Sequence, residues 1–98
     1  MSHCHVLKCR PEYFRAVGEG LKTFEIRNND RCFMAGDWLE LQEYFPADNV
    51  YSGKYITCRV KYILDKGFGL QNGYVAMAIE LPSHHQWPIP DTQPKETT

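Results

Sequence analysis

No surplus of charge announces a partner for this chain. Eleven Lys and Arg stand against 12 Asp and Glu, a net charge of −1. A broadly basic nucleic-acid surface is thereby excluded, and any basic footprint has to be local. No apolar run approaches the length of a membrane span, about 20 residues, so no membrane partner is expected. The opening Met1-Ser2-His3-Cys4-His5 contains no apolar signal region, and a cytoplasmic location is expected. The cysteines, Cys4, Cys9, Cys32 and Cys58, form no Cys-x-x-Cys pair. They read as reduced thiols that mostly fill core space. No internal repeat is visible.

The chain has 98 residues, enough for one domain with a small core and too few for two. Its hydrophobic fraction of 43% and charged fraction of 23% are ordinary for a globular protein. A mild local excess of base lies in residues 8–31, where Lys8, Arg10, Arg15, Lys22, Arg27 and Arg31 face Glu12, Glu19, Glu25 and Asp30.

His3 to Lys8 reads as a strand. Pro11 suits a helix start, where its missing N–H is no loss. Tyr13, Phe14 and Val17 follow at helical spacing, and Gly18 and Gly20 stop the helix, with Gly20 in the left-handed closing position. Lys22 to Arg27 alternates, Phe24 and Ile26 on the face expected to be buried and Thr23, Glu25 and Arg27 on the other. Asn28 to Arg31 and Gly36-Asp37 are turn chemistry. Trp38 to Tyr44 is the next strand, Pro46 to Gly53 a loop, and Lys54 to Leu64 the longest strand, with Ile56, Cys58, Val60 and Tyr62 on one face. Gly67-Phe68-Gly69 breaks it, and Tyr74 to Leu81 closes the series with Val75, Met77, Ile79 and Leu81 inward. Residues 1–81 are thus one domain, and residues 82–98 a loosely ordered tail. The expected class is α+β, mainly β, with one main helix after the first strand. Five short strands hide their edges best by closing into a small barrel.

The densest polar stretch is Gly20 to Arg31. Its plain reading is a solvated strand face, since most exposed charges do nothing specific. Its sharper reading is a cleft between helix and barrel lined by Lys22, Thr23, Glu25 and Arg27. A guanidinium beside a carboxylate suits a base edge together with a phosphate. The chain also carries His5-Val6-Leu7-Lys8, Gly20-x-Lys22-Thr23-x-Glu25-x-Arg27-x-Asn29-Asp30-Arg31, Gly36-Asp37-x-Leu39-x-Leu41-x-Glu43, Tyr51-Ser52-Gly53-Lys54, Tyr62-Ile63-Leu64 and Gly73-Tyr74-Val75-Ala76-Met77. In these motifs, over about residues 3–81, it resembles a small bacterial and phage branch of the ASCH part of the PUA-like superfamily. The resemblance implies a five-stranded PUA-like pseudo-barrel and an RNA- or nucleotide-binding cleft beside the first helix.

Under that resemblance Lys8, Lys22, Arg27 and Arg31 would meet phosphates or base edges, Glu25 would accept from a base or orient Arg27, and Lys54 would add a phosphate contact. Thr23 and Asn29 would complete the binding set, although the plain reading of Asn29-Asp30-Arg31 is a turn that fixes the barrel mouth. One ASCH branch is an amidohydrolase acting on N4-acetylcytidine, with a Lys, a Thr and a downstream Glu. Lys22 matches the Lys, but Glu25 stands where the nucleophilic Thr would be, leaving Lys22, Thr23 and Glu25 as catalytic candidates under this alternative. A lysine acts as a base only where desolvation or like charge favours its neutral form, and Glu25 opposes that. A third possibility, a protein-binding accessory domain, calls for an exposed apolar patch in place of a polar cleft.

His3, Cys4, His5 and Cys9 raise the question of a metal, since His3 and His5 share a strand face. The resemblance accounts for His5 without one, so neither metal nor cofactor is expected. Tyr13, Phe14, Phe24 and Tyr62 have the spacing of core residues, while Trp38, Tyr44, Phe45 and Tyr51 flank a loop, where an aromatic beside basic groups suits stacking on a base and an isolated one packs.

Overall fold

The computed structural model describes residues 2–82. Of the stretch expected to be a loose tail, only Pro82 is among them; His84, His85 and the remainder lie outside the described residues. The elements run β1 (Cys4–Cys9), α1 (Pro11–Gly18), β2 (Phe24–Asn28), β3 (Trp38–Phe45), β4 (Val50–Leu64) and β5 (Tyr74–Glu80). The chain is mainly β, with one short helix after the first strand, as expected.

Pro11 occupies the first turn of α1. Glu19 caps the other end, and Gly20 at φ +79° lets Leu21 N–H reach back to Ala16 O (2.9 Å) and Gly20 N–H to Val17 O (3.0 Å). That pair of bonds is the Schellman closure, which a left-handed glycine permits at little cost. It turns the chain sharply enough to set Lys22 at the mouth of β2.

The five strands form one sheet in the order β1-β3-β4-β5-β2. β1 runs parallel to β3, and every other pair is antiparallel. The sheet curls into a half-barrel whose free edges are β1 and β2. Those edges meet through arginine side chains: Arg27 Nη2 donates to Lys8 O and Arg31 Nη1 to Val6 O, each at 3.0 Å. α1 packs against β3 with Phe14 and Val17 buried. Leu39, Leu41, Ile56, Cys58, Val60, Val75 and Met77 fill the interior. Each fully buried side chain of Val, Leu, Ile or Met size contributes about 1.5–3 kcal/mol of transfer free energy.

Four expectations need correction. In β2 the apolar residues face out: Phe24 and Ile26 are 47% and 53% exposed, while Glu25 is buried at 3%. The hairpin from β3 to β4 is tight, with turn residues 46–49 only, and Tyr51 to Gly53 belong to β4. Pairing decides this, since Tyr44 opposes Tyr51 and Phe45 opposes Val50. Tyr62 is exposed because the β4–β5 register shifts between Val60 and Tyr62, and the extra residue inverts the alternation. Tyr13 is half exposed, since Phe14 and Val17 already take the buried side of the helix.

Among the described residues, no helix is long and apolar enough to cross a membrane.

Candidate functional site

Glu25 decides the geometry. It sits opposite Met77 in the β2–β5 ladder, and Met77 is wholly buried. The carboxylate is therefore carried inside the curl, where an unpaired charge would be costly. Two cations meet it there. Lys22 Nζ donates to Glu25 Oε2 at 2.7 Å, and Arg27 Nε to Oε1 at 2.8 Å. Lys22 also donates to Phe24 O (2.7 Å), and Arg27 to Lys8 O across the seam. Charge-assisted bonds of this kind fix both cations in place. Their side chains keep 17% and 26% exposure, so both reach the open side.

What they reach is a cleft of about 540 Å³. Lys22, Glu25 and Arg27 line it with Lys8, Arg10, Cys9, Tyr13, Phe24 and Ile26. Four cations and one carboxylate thus line it, two of the cations paired with Glu25 and Arg10 with the nearby Glu12, in a chain whose net charge is −1. The Lys22 ammonium lies 4.9 Å from the Phe24 ring centre and 5.6 Å from that of Tyr13, within cation–π range. Both rings stay about half exposed.

Of the expected site residues, Lys8, Lys22, Glu25 and Arg27 converge here. Thr23 does not: it precedes β2 and lines a neighbouring hollow with Val17, Gly20 and Lys61. Arg31 lies along the seam, in a second hollow beside the cleft. Asn29 does not line the cleft either: it holds a turn, its Oδ1 accepting from Phe33 N–H at 2.9 Å. Lys54 is exposed on β4, away from the cleft, and its N–H donates to Ser52 Oγ.

Cys9, Arg10, Tyr13, Phe24 and Ile26 are the lining residues that the sequence left unassigned to the cleft. The signal for Phe24 and Ile26 was the alternation itself, taken with the opposite face inward. Cys9 is placed where its neutral thiol is favoured. Burial, reinforced by the nearby Glu25 charge, pushes its thiol up to about 12.

His5 and Asp37 form a structural pair. His5 Nε2 lies 2.8 Å from Asp37 Oδ2, which also accepts from Met34 N–H, while Oδ1 accepts from His3 N–H. Burial alone would raise the Asp37 pKa, but the hydrogen bonds from His5, His3 and Met34 outweigh it and hold the carboxyl below its ordinary value. The pair ties the turn before β3 to β1, which is the role of the Gly36-Asp37 step. Among the described residues, no three His, Cys, Asp or Glu side chains gather as a metal-binding group.

A phage protein is similar to this chain. It is described as an uncharacterized 12.9 kDa protein in the GpA 3' region of Escherichia phage P2, and is 34% identical over 65 residues. The match covers 66% of this chain and 58% of the phage protein, so the chain spans under two thirds of that relative's length. A family model described as "Domain of unknown function (DUF3850)" matches residues 4–79, from the first residue of β1 almost to the end of β5. The half-barrel and its cleft lie within that match, and the chain belongs to the DUF3850 family.

Proposed function

We propose that this domain is a PUA-like module of the ASCH type that binds RNA or a nucleotide in the Glu25 cleft. One observation carries the reading: a cleft with a cationic excess and two half-exposed rings, in a protein of slightly negative net charge. Such a local field draws an anion into a concave site. The remaining Lys22 and Arg27 donors meet a phosphate or a base acceptor, and the open faces of Tyr13 and Phe24 take a base by stacking, a contact typically worth about 1–3 kcal/mol per base. Glu25 orients both cations.

The amidohydrolase alternative has less support. Lys22 already donates two of its protons, to Phe24 O and Glu25. Thr23 does not line the cleft, and burial favours the neutral form of the Cys9 thiol there.

Filter binding of short RNAs and of nucleotides tests the proposal. Wild-type protein should retain them at low salt and lose them steeply as salt rises. Arg27→Ala should weaken retention by about tenfold or more, and Phe24→Ala, which keeps every charge, by about five- to tenfold. Equal retention by the wild type and both variants at low salt would remove the site.

A further inference from the structure

We infer that the ligand is a single polynucleotide strand of at least two nucleotides, laid along the β1–β2 seam so that it fills the cleft and the hollow beside it. The inference rests on the nucleotide-binding reading above and goes further, because it fixes the ligand's form.

The second hollow, of about 350 Å³, is lined by Val6, Lys8, Arg27, Arg31, Gln42 and Tyr51 among others. Lys8 and Arg27 also line the first cleft, so the two hollows share one cationic wall. A linker between two ligand units would cross that wall, and the group it favours there is an anion.

The two arginines are anchored one strand repeat apart. Arg31 is tied to Val6 O and Arg27 to Lys8 O, carbonyls of alternate residues on β1. At the usual rise of a strand these anchor points are about 7 Å apart. Successive phosphates of an extended single strand have a similar repeat. Each guanidinium has five N–H donors. Arg31 commits one to Val6 O, and Arg27 commits Nε to Glu25 and an Nη2 proton to Lys8 O. Most of each fork is left for a ligand.

The charge along the seam is largely unneutralised. Among the described residues neither Arg31 nor Lys8 forms an ion pair. The Lys8 ammonium instead lies 4.5 Å from the Tyr44 ring centre. Tyr44 in turn packs on Tyr51 at 4.9 Å between centres, and Tyr51 stays half exposed in the second hollow. Each hollow therefore offers a ring for one base, with cations between them. A free mononucleotide fills one hollow only. A duplex keeps its bases paired inward and cannot present two of them to separate rings.

Fluorescence anisotropy with labelled hexanucleotides of RNA and of DNA, a duplex of the same sequence, and a mononucleotide competitor tests this. One or both single strands should bind at least about tenfold tighter than the mononucleotide, with a salt slope near −2 for about three phosphate contacts. RNA and DNA arms tell which sugar is preferred, and tight binding of either strand supports the inference. Arg31→Ala should cut the hexamer's advantage to about threefold or less and flatten the slope by about 0.7. Tyr51→Ala, a change at an exposed ring that spares the seam, should cut it as well. If the mononucleotide or the duplex binds as tightly as the single strands, the two-hollow track is overturned while the cleft stands. If neither nucleotide nor strand binds, the nucleotide reading falls and the track falls with it.

Discussion

β2 and β5 lie side by side in one sheet, residue against residue, yet they bury opposite kinds of side chain. In β5 the inward face is Val75, Met77 and Ile79. In β2 the inward face is Glu25 with Arg27 behind it, and the apolar Phe24 and Ile26 look outward. The difference lies in what each strand must cover. β5 is interior to the sheet and faces the core. β2 is an edge, and its inward side lies over the gap between the curl's two ends, where α1 and β1 leave a cleft. An apolar residue at position 25 would close that gap. A carboxylate held between two cations keeps it open and polar.

Substitutions at facing positions sharpen this contrast. Met77→Ala should cost most, about 2–5 kcal/mol, because it opens a cavity in a packed interior. Glu25→Ala leaves Lys22 and Arg27 facing each other, but both keep access to solvent, so the loss should be smaller, on the order of 1–2 kcal/mol. Phe24→Ser should cost less than about 1 kcal/mol, as for a substitution outside the core. Urea unfolding measures all three. A loss at Phe24 as large as that at Met77 would mean that β2 turns its apolar face inward after all.

Of the buried acids, Glu25 and Asp37 differ in the same instructive way, since Glu25 is held by cations and Asp37 mainly by N–H groups and His5. Asp37 titrates below its unfolded value, about 3.9, despite its burial, because those hydrogen bonds favour the charged form. Its contribution is complete above that value and is lost as pH falls through the lower folded one. The acid limb of the stability curve should therefore be shallower in Asp37→Asn than in wild type when melting is followed from pH 5 downward. Parallel acid limbs would contradict it.

Local chemistry made much of this fold legible. Pro11 and Gly20 mark the helix ends, Val75, Met77 and Ile79 the inward face of β5, and Ile56, Cys58 and Val60 that of β4. Period two shows that a strand has two faces and not which of them is inside. Phe24 and Ile26 were the more apolar choice, and topology overruled them. The register shift that turns Tyr62 outward, and the pairing that draws Tyr51 to Gly53 into β4, depend on partners distant in sequence. For the site, the convergence of Lys22, Glu25 and Arg27 was legible in their spacing. Lys8 was joined to them by the family resemblance alone, and Tyr13 by nothing local, because β1 and α1 reach the cleft only once the sheet has curled.

The claim that matters most is that Lys22, Glu25 and Arg27 form a ligand site and not merely a solved burial problem. Nuclear magnetic resonance titration of the labelled protein with a short single-stranded RNA tests it directly. The account predicts saturable shifts of the Arg27 side-chain Nε–H and the Glu25 carboxyl carbon, with Phe24 and Tyr13 ring signals moving at the same midpoint. Shifts confined to other surfaces, such as the Gly67–Gly69 loop, with the cleft silent, would contradict it.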